Sequence, residues 1–571
     1  MATLEPTVER SAARTSRWAH WFGRFEAWLE RVVDRLNPIL VKECRQALKS
    51  RQFTITFALV LVCCWIWSIY GVITVGPGVQ FSTGVAGIRM FAGYFAILAF
   101  PLLVVVPHGA FRSLADERDD RTFELLSITA LGPRQIIAGK LGSAAVQMMV
   151  YLSAIMPCLA FTYLLRGIEA PTILIVIVYM VLASLGLSMV GLLAATIAQE
   201  RHWQTLWSAA VVVGLAILFF FVVGTGIEGL TRDRIPYEDG RFWRANAVVG
   251  LVYASYFALV FFAAAAQLTF ASENRSTALR VIMLAQQLVV TFSLVWITSV
   301  NLLTLRQLGP GGPVVYVDPL LVALNAFLPM LAVHWYLMGI LMNGEMPRLS
   351  NRAKRRLPQS FLGRALLTWF NPGPSSGYVF ALLNLASGIA ILLVGIAYVL
   401  ANRNSTSAAG PGFTPSTIAL RAQEAYSFCL LAFGYVAFYL GLGRLVLGLL
   451  RRFAPVGMFL GVMIQIMLLA VGAMGPLLID EMADNRYHQY RFWHVYSPTS
   501  TFPALDRQQL GSGDAVVLFV LASALAVFVL NFRGIMAELR QVRCEAPQRV
   551  VEEEEALHPK PVVLPVNPFD F

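Results

Sequence analysis

Twelve apolar runs, each close to the length that carries a helix across a bilayer, dominate this chain of 571 residues. A hydrocarbon core needs about 20 mostly apolar residues per helical crossing, because every backbone amide must find its partner within the segment. The runs lie near residues 53–75, 90–111, 142–165, 171–198, 207–226, 247–270, 281–305, 319–342, 378–401, 424–450, 454–479 and 515–532. A membrane β-barrel would instead show strands of about ten residues with alternating polarity. The expected fold is therefore an all-α polytopic membrane protein with about 12 transmembrane helices, divisible into two six-helix halves and preceded by N-terminal amphipathic interfacial helices. Composition agrees: 57% of residues are hydrophobic and 13% charged, against about 25% charged in soluble domains. A water-soluble enzyme body is excluded.

The net charge of +11 acquires meaning from its placement. Lys42, Arg45, Lys49 and Arg51 sit just before the first run, and Arg533, Arg540 and Arg543 just after the last. Basic residues beside spans mark the cytoplasmic side, so both termini are expected there, in an inner (plasma) membrane. Topology and contact with anionic lipids account for the charge, and nucleic acid is not an expected partner. Of six cysteines, four fall inside runs, and no C-x-x-C or Cys/His metal spacing occurs; neither a disulfide framework nor a metal site is expected. The first 50 residues lack an uninterrupted apolar core, so the first span is expected to act as an uncleaved signal.

Two amphipathic stretches precede that span. Trp18, Trp21, Phe22, Phe25, Trp28, Leu29 and Val32 share one helical face, and three tryptophans on it suit a helix lying among headgroups. Asn37-Pro38 then offers a cap and a first-turn proline. Beyond it, Leu40, Val41, Cys44, Ala47 and Leu48 lie opposite Lys42, Glu43, Arg45, Gln46 and Lys49. This second stretch reads as an interfacial elbow running into the first span, or as a helix packed on a neighbouring domain.

The most informative connection joins the second and third spans, over residues 112–141. Its charge cluster, Asp116-Glu117-Arg118-Asp119-Asp120-Arg121, gives way to Phe123, Leu125, Leu126 and Ile128, then to Gly132-Pro133 and a helix beginning near Arg134. A short, partly apolar helix on the cytoplasmic side wants a protein surface to cover it. That surface belongs either to a soluble partner or to the chain's own membrane domain.

The run Glu117…Arg121-Thr122-Phe123-Glu124-Leu125-Leu126…Gly132-Pro133-Arg134-Gln135-Ile136…Gly139-Lys140 resembles the coupling region of the permease subunits of type-2 ABC exporters. Asn37-Pro38…Lys42-Glu43…Arg45…Leu48…Ser50-Arg51 is similar to that family's elbow helix. The resemblance covers about the first 270 residues, and Arg121 stands where the family commonly has Gly. It implies an ATP-driven export path with about six spans per functional half. Glu117, Arg121, Thr122, Glu124, Leu125, Leu126, Pro133, Arg134, Gly139 and Lys140 would couple it to a separate ABC ATPase subunit, and Asn37, Pro38, Lys42, Glu43, Arg45 and Arg51 would form the elbow. The chain itself would be a permease and not an enzyme. It would bind no cofactor, with ATP and Mg held by the partner, since its nearest approach to a phosphate loop, Gly132 to Leu141, has the wrong glycine spacing and Leu in place of Ser/Thr.

The spans are poor in charge. Ion-coupled carriers keep ionisable groups at mid-membrane depth, whereas here His334 is the main exception, so an ion-coupled secondary carrier is disfavoured. A membrane scaffold or assembly factor is the reading from a different class. Gln147, Gln286, Gln287, Asn325, Asn384 and Gln465 are either interhelical hydrogen-bond formers or part of a path. Loop lengths suggest a duplication, with connections 112–141 and 343–377 corresponding, and likewise 227–246 and 480–514. Two architectures follow: two fused halves, or one half with an added six-span region that needs a second copy of the chain or a second permease. The expected divisions are 1–52 (amphipathic and elbow helices), 53–270 (permease-like domain), 271–342 (two spans), 343–377 (a loop with the basic run at 352–356), 378–532 (four spans) and 533–571 (a disordered tail). Residues 480–514 carry Tyr487, His488, Tyr490, Phe492, Trp493, His494 and Tyr496, an interfacial belt or a closure of the outer mouth. A metal on the two histidines is not expected, no carboxylate spacing being evident.

Overall fold

The computed structural model describes residues 37–75, 85–119, 131–165, 167–197, 201–232, 235–270, 273–301, 305–307, 314–316, 327–345, 349–355, 357–358, 360–403, 415–453, 458–482, 490–506, 513–541, 543–545 and 547–557. The amphipathic face from Trp18 to Val32 and the coupling residues Arg121, Thr122, Glu124, Leu125 and Leu126 lie outside them, as does Asn325. Among the described residues, ten helices are long and apolar enough to cross a membrane, and two shorter apolar helices accompany them. The chain is thus a helical, multi-pass membrane protein by length and composition, and the two shorter helices fall in the other two of the twelve expected runs. It divides into two compact units, residues Met1–Thr269 and Phe270–Phe571.

Unit 1 begins with α1 (Pro38–Leu48), whose start is fixed by the Asn37 side chain accepting from the Ile39 amide at 3.1 Å and by Pro38 in the first turn. Six membrane helices follow. They are α2 (Arg51–Val75), a bent second helix made of α3 (Val85–Phe100) and α4 (Val106–Asp119), α5 (Pro133–Leu164), α6 (Ala170–Ile197), α7 (Arg201–Arg232) and α8 (Gly240–Leu268). The bend is a π-turn, Pro101–Val105. Pro101 has no amide to donate and crowds the preceding carbonyl, and one wide turn relieves both. A carbonyl at this turn, that of Leu102, accepts the Ser184 hydroxyl from α6. The second helix is also the axis of the unit: Phe91, Tyr94, Leu98, Leu102, Leu103, Phe111 and Leu114 are all buried along it. By contrast α2 leaves Ile55, Ile66 and Ile73 exposed, and Trp65 is 72% exposed. Such a face is stable only against hydrocarbon.

Unit 2 contains α9 (Thr277–Asn301), a ribbon of β1 (Leu305–Gln307) and β2 (Val314–Tyr316), α10 (Leu328–Asn343), α11 (Asn351–Arg355), α12 (Phe361–Leu367), α13 (Pro374–Arg403), α14 (Pro415–Leu450), α15 (Met458–Met482), α16 (Pro498–Asp506), α17 (Gly513–Leu539) and α18 (Gln548–Leu557). A 3-10 turn, Thr368–Phe370, precedes α13, and another, Phe492–Tyr496, precedes α16. The seventh apolar run had been expected to continue as helix to Leu305. Instead Leu305 pairs with Tyr316 in an antiparallel ribbon. The tail is likewise helical over Gln548–Leu557, where a disordered segment was expected; Arg549 and Glu553, one turn apart, pair at 3.2 Å.

Helices also run past their apolar cores. The second ends at Asp119 rather than 111, the third starts at Pro133 rather than 142, and the last reaches Leu539 rather than 532. The connections 112–141, 227–246 and 480–514 are therefore partly helical. Polar helix ends of this kind persist where something satisfies their side chains, and in both units that is a buried ionic cluster.

Candidate functional site

In unit 1 the cluster is assembled by α1, α4 and α5. Asn37, besides capping α1, donates through Nδ2 to the Gln135 carbonyl in the first turn of α5, laying α1 across that helix. Gly139 allows the approach: a Cβ there would stand 2.9 Å from both Cβ and Cγ2 of Ile39. With the helices so close, Lys140 points at α1 and α4. Its ammonium donates to Glu43 Oε1 at 2.9 Å and to the Ser113 carbonyl at 2.8 Å, and forms an ion pair with Glu117 Oε2 at 2.9 Å. Glu117 is shared, since its Oε1 accepts from Lys42 at 2.9 Å.

Two lysines and two glutamates thus balance in charge. The Lys140 side chain is 0% exposed while that of Lys42 is 55% exposed. The hydrogen bond to Glu117 holds the Lys42 ammonium above the usual lysine range, against a smaller opposing effect of burial. Burial pushes the Cys44 thiol up, against a smaller opposing effect of Ser143. Beside the cluster lies a cavity of about 470 Å3, lined in part by Gln46, Gln52, Arg112, Asp116, Gln147 and Tyr151.

The structure therefore brings together Asn37, Lys42, Glu43, Glu117, Gly139 and Lys140, drawn from three separated stretches of sequence. Pro38 and Pro133 open α1 and α5. Arg134 is exposed and stacks over the Phe262 ring at 4.9 Å. Arg45 and Arg51 are exposed. Glu117 and Lys140 are internal ties, so their carboxylate and ammonium are spent within the chain. Arg118, which follows, donates to the Ala195 and Thr196 carbonyls at 3.3 and 2.8 Å and closes the C-terminal end of α6.

Unit 2 has a second cluster that reading the sequence missed. The Arg280 side chain on α9 is 0% exposed and meets Glu345 Oε2 at 2.7 Å. It also donates to the Trp369 and Gly373 carbonyls at 2.6 and 3.2 Å and to Ser376 Oγ at 3.0 Å. Glu345 accepts in turn from Ser276 Oγ and the Gly373 amide. Burial pushes its carboxyl up, opposed by Arg280, Ser276 and Gly373. Glu538, from the extended end of α17, accepts from the Ser375 and Ser376 amides at 2.9 and 2.8 Å and so caps α13. Arg451 donates to the carbonyls of Asn343, Gly344 and Glu345, closing α10. Arg444, which stands inside an apolar run, donates to Ser375 Oγ. A charge embedded in such a run was the one available signal.

At the opposite end of unit 2, His494 in the second 3-10 turn finds a carboxylate after all, 14 positions back. Its Nε2 lies 2.8 Å from Asp480 Oδ2, Trp493 Nε1 donates to Asp480 Oδ1 at 3.1 Å, and the Arg491 amide donates to His494 Nδ1 at 2.9 Å. Nδ1 also lies 3.2 Å from the Arg491 carbonyl. The pair ties the segment after α15 to the end of that helix.

Among the described residues no group of three metal-ligating side chains forms, and all six cysteines are free. Several polar residues of the spans serve as interhelical bonds. Trp335 donates to Gln287 Oε1 at 2.9 Å, and Gln465 donates to the Leu440 carbonyl at 3.3 Å. His334 packs against the Trp335 ring. Comparison with protein-family models, with curated proteins and with solved structures gives no match for this chain.

Proposed function

We propose that this chain is the membrane-spanning permease subunit of an ATP-driven ABC exporter, forming the translocation path and coupling to a separate ATPase subunit, in an inner membrane with both termini cytoplasmic. One observation carries the reading. The elbow residues Lys42 and Glu43 and the coupling-region residues Glu117 and Lys140, singled out by resemblance in distant stretches, meet in one buried cluster. Such a cluster clamps both helices that flank residues 120–130, so a push on that segment reaches α1, α4 and α5 together. Six of the ten long apolar helices fall in unit 1, the number the family implies for one functional half. The second half is either unit 2, a second copy of the chain or another permease.

The test uses the chain co-expressed with a candidate ABC ATPase subunit. Glu124→Ala with Leu125→Ala is expected to leave membrane insertion intact while co-purification and transport-linked ATP hydrolysis fall by about tenfold, the effect of about 1.4 kcal/mol. Co-purification and transport that both survive the double change would overturn the docking assignment. Glu117 is left untouched here, because its removal strands Lys140 in the interior and confuses folding with coupling.

A further inference from the structure

We infer that unit 2 holds a binding site for a single hydrocarbon chain, the acyl chain of a bilayer phospholipid, in a cavity of about 460 Å3 between α10, α14, α15 and α16. The inference stands apart from any ATPase. The cavity lies within the range of about 300–1,000 Å3 typical of small-molecule sites. Val333, Tyr336, Phe428, Tyr435, Tyr439 and Phe502 are among its walls.

What the walls lack selects the ligand. Each of the three tyrosines spends its hydroxyl on the protein: Tyr336 on the Gln465 carbonyl at 3.2 Å, Tyr435 on that of Val495 at 2.6 Å and Tyr439 on that of Tyr496 at 2.6 Å. The hydroxyl of Thr499 is likewise spent, on the Ala473 carbonyl at 3.2 Å. Rings and aliphatic groups are left to meet an occupant. A cavity lined this way holds no ordered water, and if empty it forfeits dispersion contacts on every wall. An apolar occupant without hydrogen-bonding groups is the chemistry that fits.

The source follows from the surroundings. Val333, on the cavity wall, is also 57% exposed, and beside it on α10 Met330 and Leu337 are exposed, as are Ile466, Met467 and Val471 on α15. In a chain of membrane-crossing helices such surfaces face hydrocarbon, so the cavity is reached from the place where acyl chains are most concentrated. The tyrosine bonds to residues 495 and 496 make the same walls the support of the turn that carries His494.

The experiment places the full chain in phosphatidylcholine nanodiscs in which a fraction of the lipid bears a diazirine on its acyl chain, followed by irradiation and peptide mapping. Adducts are expected on residues 328–336 and 428–439. Ala432→Trp, which fills the cavity, is expected to reduce them at least about tenfold, while adducts on the exposed face of α2 around Trp65 stay unchanged. Should Ala432→Trp fail to give a monodisperse protein, Leu469→Trp fills the cavity from the other side with the same expected loss. Cavity adducts that persist in the filled variant, or that are no denser than those on α2, would overturn the site. A second arm offers a small diazirine hydrocarbon in lipid-free detergent. Labelling of the cavity by that probe, with none from the phospholipid, would overturn the lipid assignment in favour of an apolar solute.

Discussion

The two units solve the same problem with different cations. In unit 1 the buried centre is Lys140 on α5, a compact ammonium whose partners are two carboxylates and one carbonyl, all carried on helices α1 and α4. In unit 2 it is Arg280, a planar fork whose partners are one carboxylate, one hydroxyl and two carbonyls from the stretch that leads into α13. An ammonium takes side chains from any direction, whereas a guanidinium suits a fixed planar array. The first cluster therefore joins helices to one another, while the second fastens a connecting segment to its bundle.

Breaking either centre tests the comparison most severely. Removing one partner from a buried ion pair costs about 3–5 kcal/mol, chiefly because the other charge is left stranded. Arg280→Ala should show the largest loss, since it abandons Glu345 and two carbonyls at once, and Arg280→Lys should recover only part of it. Thermal unfolding in detergent reads both, and equal stability of Arg280→Lys and the parent would show that the planar array is unimportant.

Lys140→Met should cost about the same 3–5 kcal/mol range, with Glu43 and Glu117 left sharing a site with only the half-exposed Lys42 as cation. Here, however, the partners are side chains, so the triple change Lys140→Met, Glu43→Gln, Glu117→Gln can restore most of the loss. No equivalent rescue is expected in unit 2, because the carbonyls of Trp369 and Gly373 cannot be mutated away. A triple variant as unstable as Lys140→Met alone would end the distinction between the units.

These clusters also mark where the sequence was legible and where it was not. Apolar length located ten of the spans, because the requirement for about 20 apolar residues is physical and local. It misplaced their ends, since Glu117, Lys140 and Glu538 extend helices into polar territory by means of partners far away in the chain. The unit 1 site was readable because its residues are side chains of characteristic type in recognisable stretches, Asn37-Pro38 and Gly139-Lys140 among them. Arg280 was not readable, for Glu345 lies 65 positions away and its remaining partners are largely backbone, which carries no residue code. Asp480 escaped notice beside His494 for a related reason, as a separation of 14 positions carries no spacing signal.

Close approach of α1 to α5 is the next lever. A methyl at Gly139 meets Ile39 at 2.9 Å, so Gly139→Ala is expected to cost about 1–3 kcal/mol through overpacking. Ile39→Ala in the same chain should return part of it. A Gly139→Ala protein with unchanged unfolding temperature would mean that α1 sits farther from α5 than the cluster requires.

The smallest effect belongs to Lys42, whose half-exposed ammonium completes the unit 1 cluster from outside. Exposed pairs contribute about 0.2–1 kcal/mol, so Lys42→Ala should cost no more than that, well below Lys140→Met. The sign of its pH dependence is set by the raised pKa. Because the folded value lies above the unfolded one, the contribution is complete below the ordinary lysine pKa and disappears only as pH climbs through the raised value. The difference between Lys42→Ala and the parent should accordingly be flat across the neutral range and shrink in strong alkali. A difference that grew with pH would place Lys42 elsewhere than on Glu117, and with it would go the link between the elbow and the second helix on which the coupling reading depends.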